Sequence, residues 1–120
     1  MKKMNIFILL LFINFFMDAN ERESIFIKSQ ENTIVYCIDD GKVLNMSYSE
    51  DLGLHITVEY LNTGMIITYC NLKTSYVAKK QIIKKGGKLG KIGMTGNVIE
   101  PGITVIIELN EKRFLYNEDE

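Results

Sequence analysis

Histidine is almost missing from this 120-residue chain: His55 is the only one. A metal centre or catalytic relay built on two or more histidines is therefore excluded. Proline occurs once, at Pro101, in the loop before the last candidate strand, where it interrupts no hydrogen-bonded ladder. No stretch shows the three-to-four spacing of apolar residues that marks an amphipathic helix. Basic charge is in no excess either. The chain has 14 Lys and Arg against 15 Asp and Glu. Setting aside Lys2, Lys3 and Asp18 leaves 12 basic and 14 acidic residues, too even a balance for a nucleic-acid partner. Lys79-Lys80 and Lys84-Lys85 read as solvated turns. Cysteine is scarce, with Cys37 and Cys70 the only two.

What is present starts at the N-terminus. Lys2-Lys3 is followed by a nearly unbroken apolar run, Asn5 to Phe16, and then by Met17-Asp18-Ala19 with a small residue before Asn20. That is the pattern of a secretory signal peptide over residues 1–19. The run is short for a membrane span, which needs about 20 apolar residues. An uncleaved anchor is the alternative, and the only membrane contact the sequence offers. The mature chain is expected outside the cytoplasm, periplasmic or otherwise extracytoplasmic. In that compartment Cys37 and Cys70 are a candidate disulfide, which a core this small would benefit from. Two buried free thiols are the other reading.

From Ser24 onward the chain reads as β-structure. Ile25, Ile27, Thr33 to Tyr36 and Lys42 to Leu44 supply β-branched and aromatic residues around turn signals, with Asp39-Asp40-Gly41 as one corner. Leu54 to Leu61 alternates, with Ile56, Val58 and Tyr60 on one face and His55, Thr57 and Glu59 on the other. Asn62-Thr63-Gly64 turns it into Met65 to Cys70, a hairpin with one buried face. Val77 to Gly96 (VAKKQIIKKGGKLGKIGMTG) has the rhythm of two more strands around a turn, with glycines at the corners. Ile103 to Leu109 is the last strand, and the polar stretch 110–120 reads as a frayed tail. His55 is expected to be a half-exposed strand histidine. A Cys₂His metal site from Cys37, Cys70 and His55 matches no zinc spacing.

Three segments in order carry a resemblance. Val35 to Val43 fits a motif Ala-x-x-Asp-Gly-x-Val. Gly53 to Leu72 keeps Gly53, Ile56, Val58, Gly64, Thr68, Tyr69 and Leu72 in register with a second motif, which ends Tyr-x-His-Leu. Val77 to Gly96 fits a third without a gap through Val77, Gln81, Ile83, Gly86, Leu89, Gly90, Gly93, Thr95 and Gly96. Together they resemble the lysostaphin/LytM-type zinc endopeptidases of peptidoglycan over residues 22–109. The resemblance implies an all-β, antiparallel domain of the duplicated hammerhead type. Half of the third motif also occurs in biotinyl and lipoyl carrier domains, but the leader and the match before Val77 argue against a carrier.

The resemblance also says where the chemistry should lie. The first ligand pair of such enzymes, His and Asp, falls on Arg22 and Phe26. The histidine of Tyr-x-His-Leu falls on Asn71. The closing His-x-His falls on Thr104 and Ile106, or on Gly102 and Thr104 if the gap is placed earlier. Zinc needs nitrogen, sulfur or carboxylate donors and an open position for water, and none of these positions supplies such a set. The implied reading has no catalytic residue, no cofactor and no metal: an inactive, peptidase-like module of the cell envelope. It would bind peptidoglycan or a cell-wall hydrolase, as degenerate members of that family do when they activate amidases. A zinc endopeptidase of peptide cross-links and a purely structural envelope subunit are the alternatives.

Overall fold

The computed structural model describes residues 22–109. The expected leader, 1–19, and tail, 110–120, lie outside the described residues. Every regular element among those described is a strand: β1 (Arg22–Lys28), β2 (Ile34–Tyr36), β3 (Gly41–Ser49), β4 (Gly53–Tyr60), β5 (Ile66–Ser75), β6 (Ile82–Ile83), β7 (Lys88–Ile92) and β8 (Gly102–Glu108). All pairings are antiparallel, in the order β1-β8-β5-β4-β3-β6. The long strand β5 has β4 along one side. Along the other, its first half pairs β8 and its second half pairs β7, which also pairs β2.

Strict alternation sorts the side chains. Ile56, Val58 and Tyr60 of β4, Ile67 and Tyr69 of β5, and Ile103, Val105 and Ile107 of β8 all point to one side and are buried there. Val35, Val43, Leu89 and Ile92 pack on them from the other strands. Within this apolar layer the Tyr60 and Tyr69 hydroxyls satisfy each other at 2.6 Å. Unpaired, each would be costly to bury.

Two expectations are corrected, and of the two readings left open for the cysteines the structure has the buried free thiols. The segment Val77–Gly96 is not a hairpin. Strand β6 pairs β3, through Gly41 with Ile83 and Lys42 with Ile82, whereas β7 pairs β2 and β5. The turn between them explains it: Gly86, at φ +85°, donates its N–H to the Cys37 carbonyl, and this contact carries the chain round to β2. Cys37 and Cys70 are both free thiols. Cys37 belongs to the core cluster, while Cys70 alternates onto the other face of β5 opposite Thr104, so the sheet separates them. His55 is on the face expected but is 9 % exposed, because its ring turns back along its own strand and Nδ1 sits 2.9 Å from the Gly53 carbonyl.

Candidate functional site

Directly opposed residues of antiparallel strands share a face, so the register lays out the side of the sheet turned away from the core. One row runs across six strands: Arg22, Glu108, Ile66, Glu59, Lys42, Ile82. The next is Ser24, Ile106, Thr68, Thr57, Asn45. A third begins Phe26, Thr104, Cys70. Four of the five positions singled out from sequence, Arg22, Phe26, Thr104 and Ile106, therefore lie together on neighbouring strands β1 and β8. The middle row is polar, and its Thr57 and Thr68 hydroxyls are 3.0 Å apart.

Asn71 reaches the same place by a bulge. Leu54 opposes Leu72 and Ile56 opposes Tyr69, so Cys70 and Asn71 of β5 together face only His55 of β4. Asn71 adopts φ +66°, a left-handed conformation that asparagine tolerates better than most residues. The side chain lies where β5 changes partner from β8 to β7 and is 1 % exposed. Its amide nitrogen donates to the Thr95 carbonyl at 2.8 Å and to the Leu52 carbonyl at 3.3 Å. Its oxygen accepts from the Thr104 backbone N–H at 3.1 Å and the Thr104 hydroxyl at 2.6 Å. Two donors and two lone pairs are the full capacity of a primary amide. All four are used, and the Thr104 N–H fixes which end is oxygen.

Around this amide the backbone is tightly closed. The Thr95 hydroxyl accepts from the Leu54 N–H at 3.1 Å and donates to the Leu72 carbonyl at 2.8 Å. Gly53 and Gly96 both have positive φ and abut each other: a Cβ on Gly53 would lie 2.3 Å from the Thr95 hydroxyl oxygen and 2.7 Å from the Gly96 nitrogen. Thr95 and Gly96 are motif residues to which sequence assigned no role. Leu52 was missed, since it acts only through its carbonyl and so leaves no side-chain signal.

Beside Thr104 opens a groove of about 300 Å³, lined by Phe26, Asn97, Val98, Ile99, Glu100 and Thr104. Phe26 lines it from β1, and Ile99 lines it from the loop before β8 and is 93 % exposed. Cys70 lies opposite Thr104 on the neighbouring strand β5, and burial pushes its thiol up to about 12, with Arg22 partly offsetting that rise. A thiol so raised is a poor nucleophile at neutral pH. The Cys37 thiol is raised too, chiefly by burial, and its Sγ donates to the Asp39 carbonyl.

As a set, the five positions do not fit a zinc ion. Arg22 is a permanent cation, Phe26 and Ile106 carry no donor atom, and the polar atoms of Asn71 and the Thr104 hydroxyl are engaged with each other. Among the described residues no three of His, Cys, Asp and Glu converge on a point, so Cys37, Cys70 and His55 are not brought together.

Comparison with known proteins places this geometry. The model of Peptidase family M23 matches residues 20–115. A protein assigned to peptidase M23 in Pseudomonas aeruginosa superposes with a TM-score of 0.66 at 27 % identity, over 71 % of this chain and 37 % of that one. A zinc containing peptidase from Vibrio cholerae gives 0.61 at 26 %, over 66 % and 24 %. The catalytic domain of lysostaphin from Staphylococcus simulans gives 0.63 at 22 %, over 76 % of each chain, and supports the fold. The chain thus spans well under half the length of the first two. No curated protein matches the sequence.

Proposed function

The chain belongs to peptidase family M23, and from that premise we propose that it is a member without peptidase chemistry. In this reading it is exported to the cell envelope, and its open sheet face binds peptidoglycan or a cell-wall hydrolase. The observation that carries the reading is the Asn71–Thr104 contact. Where the resemblance expects histidines, this chain holds an amide whose four hydrogen bonds are all made within the fold and a hydroxyl whose proton is given to that amide. Both lone pairs of the Asn71 oxygen are taken, and what remains on Thr104 is a neutral hydroxyl oxygen, a weak base and a poor zinc ligand beside imidazole or carboxylate. Arg22, two rows away on the same face and opposite Glu108, is a permanent cation and supplies no ligand atom.

Binding needs none of that. The open face offers hydroxyls and an amide at Ser24, Thr68, Thr57 and Asn45, opposed charges at its far end, and the Phe26–Thr104 groove at the β1 side. Such a surface suits a polar, extended ligand such as a wall glycan or its peptide. The test is cosedimentation of the exported chain with purified peptidoglycan, alongside capture of wall hydrolases from an envelope extract. Specific retention by either, weakened by Phe26→Ala with Thr104→Val, supports the reading. Retention by neither, or retention unchanged in that variant, overturns it.

A further inference from the structure

A second surface lies at the opposite edge of the sheet. Between Glu59 and Glu100 the chain has no carboxylate but seven lysines. Four of these, Lys79, Lys80, Lys84 and Lys85, flank the edge strand β6, and all four are exposed. The backbone fixes them there. Lys80 donates its N–H to the Val43 carbonyl, and Lys85 donates its N–H to the Asp40 carboxylate. Among the described residues none of the four side chains reaches a carboxylate at ion-pair distance. Two acids lie near one end of the edge and offset part of its charge: Asp39, which accepts from the Asp40 N–H and the Asn62 amide and also feels Lys85, and Asp40, which accepts the Lys85 N–H. Glu59 sits across from Lys42, one strand further in. In the middle of the lysines Ile82 is 57 % exposed, a large apolar side chain on an otherwise cationic edge.

We propose that the Lys79–Lys85 edge, with Ile82 at its centre, docks this domain on an anionic phospholipid surface. Two features select that partner. Clusters of four or more lysines are attracted to anionic headgroups, each charge strengthening binding about fivefold. The exposed isoleucine then gains by entering the headgroup boundary, whereas a hydrated anionic polymer offers it nothing. The geometry has a consequence for the other site. Strand β6 ends the sheet opposite β1, five strand spacings away, roughly 24 Å. A domain resting on β6 holds the Phe26–Thr104 groove away from the bilayer.

The test is peptide-resolved hydrogen exchange on the full chain, with vesicles of phosphatidylcholine alone and of phosphatidylcholine mixed with phosphatidylglycerol. Because the readout is local to residues 79–85, an apolar leader inserting into both vesicles does not obscure it. Slowed exchange in that segment is expected on the anionic vesicles only, and is reversed by high salt. Lys79→Gln with Lys80→Gln should raise the half-saturating lipid concentration about 25-fold, and Ile82→Ser several-fold. Protection on neutral vesicles, or on neither, overturns the proposal. So does equal protection by soluble polyphosphate that Ile82→Ser leaves unchanged, which would make the edge a polyanion site.

Discussion

The Asn71 side-chain oxygen accepts both the N–H and the hydroxyl of Thr104, at 3.1 and 2.6 Å. This joins the bulge of β5 to the start of β8, and the same amide's nitrogen ties in the carbonyls of Leu52 and Thr95. Four stretches of chain thus meet at one buried group.

Removing that group leaves several polar partners stranded. Asn71→Ala should destabilise the domain by about 3 kcal/mol, since buried groups that lose a partner cost about 1–3 kcal/mol each. Equilibrium urea unfolding measures it. Thr104→Val should cost less, because Asn71 keeps its bond from the backbone N–H.

The two glycines that abut beneath Asn71 should be as intolerant. Gly53→Ala forces a Cβ onto Thr95 and Gly96 and adds left-handed strain at φ +66°, so a loss of about 2–3 kcal/mol is expected. Gly86→Ala is the control: it has positive φ but nothing within 4 Å. It should cost only the strain, about 1 kcal/mol. Thermal or urea melts of the pair separate contact from conformation.

Much of this was legible beforehand. The alternation of Leu54 to Leu61 gave the correct faces, and the glycine spacing of the third segment gave the corners. The four positions Arg22, Phe26, Thr104 and Ile106 share one face of β1 and β8. Asn71 was found as a position, but its role was not, because a bulge and a positive φ leave no trace in period-two patterning. The partners of β6 and β7 were equally hidden. Neighbouring strands in sequence suggest a hairpin, and the paired contacts of Gly86 and Gly87 with Cys37 redirect the chain. The burial of His55 was hidden too, since it faces the Cys70–Asn71 bulge of β5, which alternation alone does not reveal.

The buried Cys70 thiol gives a pH dependence with a definite sign. Its value is raised in the fold from an ordinary 9.0 to about 12, so above pH 9 the unfolded chain loses this proton first. The thiol's contribution to stability is intact below about pH 9 and is lost as pH rises toward 12. The buried Tyr60 and Tyr69 act in the same direction. Cys70→Ala should therefore lose stability less steeply than the parent chain over that window, as read by urea midpoints at stepped pH. Both native thiols should also resist a thiol reagent until the protein is unfolded, when two should react.

Export is tested at the N-terminus. The order Lys2-Lys3, apolar run, Ala19-Asn20 leads us to expect a mature chain beginning at Asn20 in envelope fractions. Sequencing the purified protein should show that start. A cytosolic chain beginning at Met1 would remove the proposed setting.

The most direct measurement is zinc content by elemental analysis, paired with turbidimetric lysis of purified cell walls. On the proposed reading Arg22, Phe26, Asn71, Thr104 and Ile106 stand at the ligand and catalytic positions, and such a set would neither hold the ion nor lower the pKa of its water. The expected result is substoichiometric zinc and no lysis, and neither should be restored in Asn71→His, which gains a ring but no partner ligand. One equivalent of zinc, together with wall lysis that a chelator abolishes, would contradict the account.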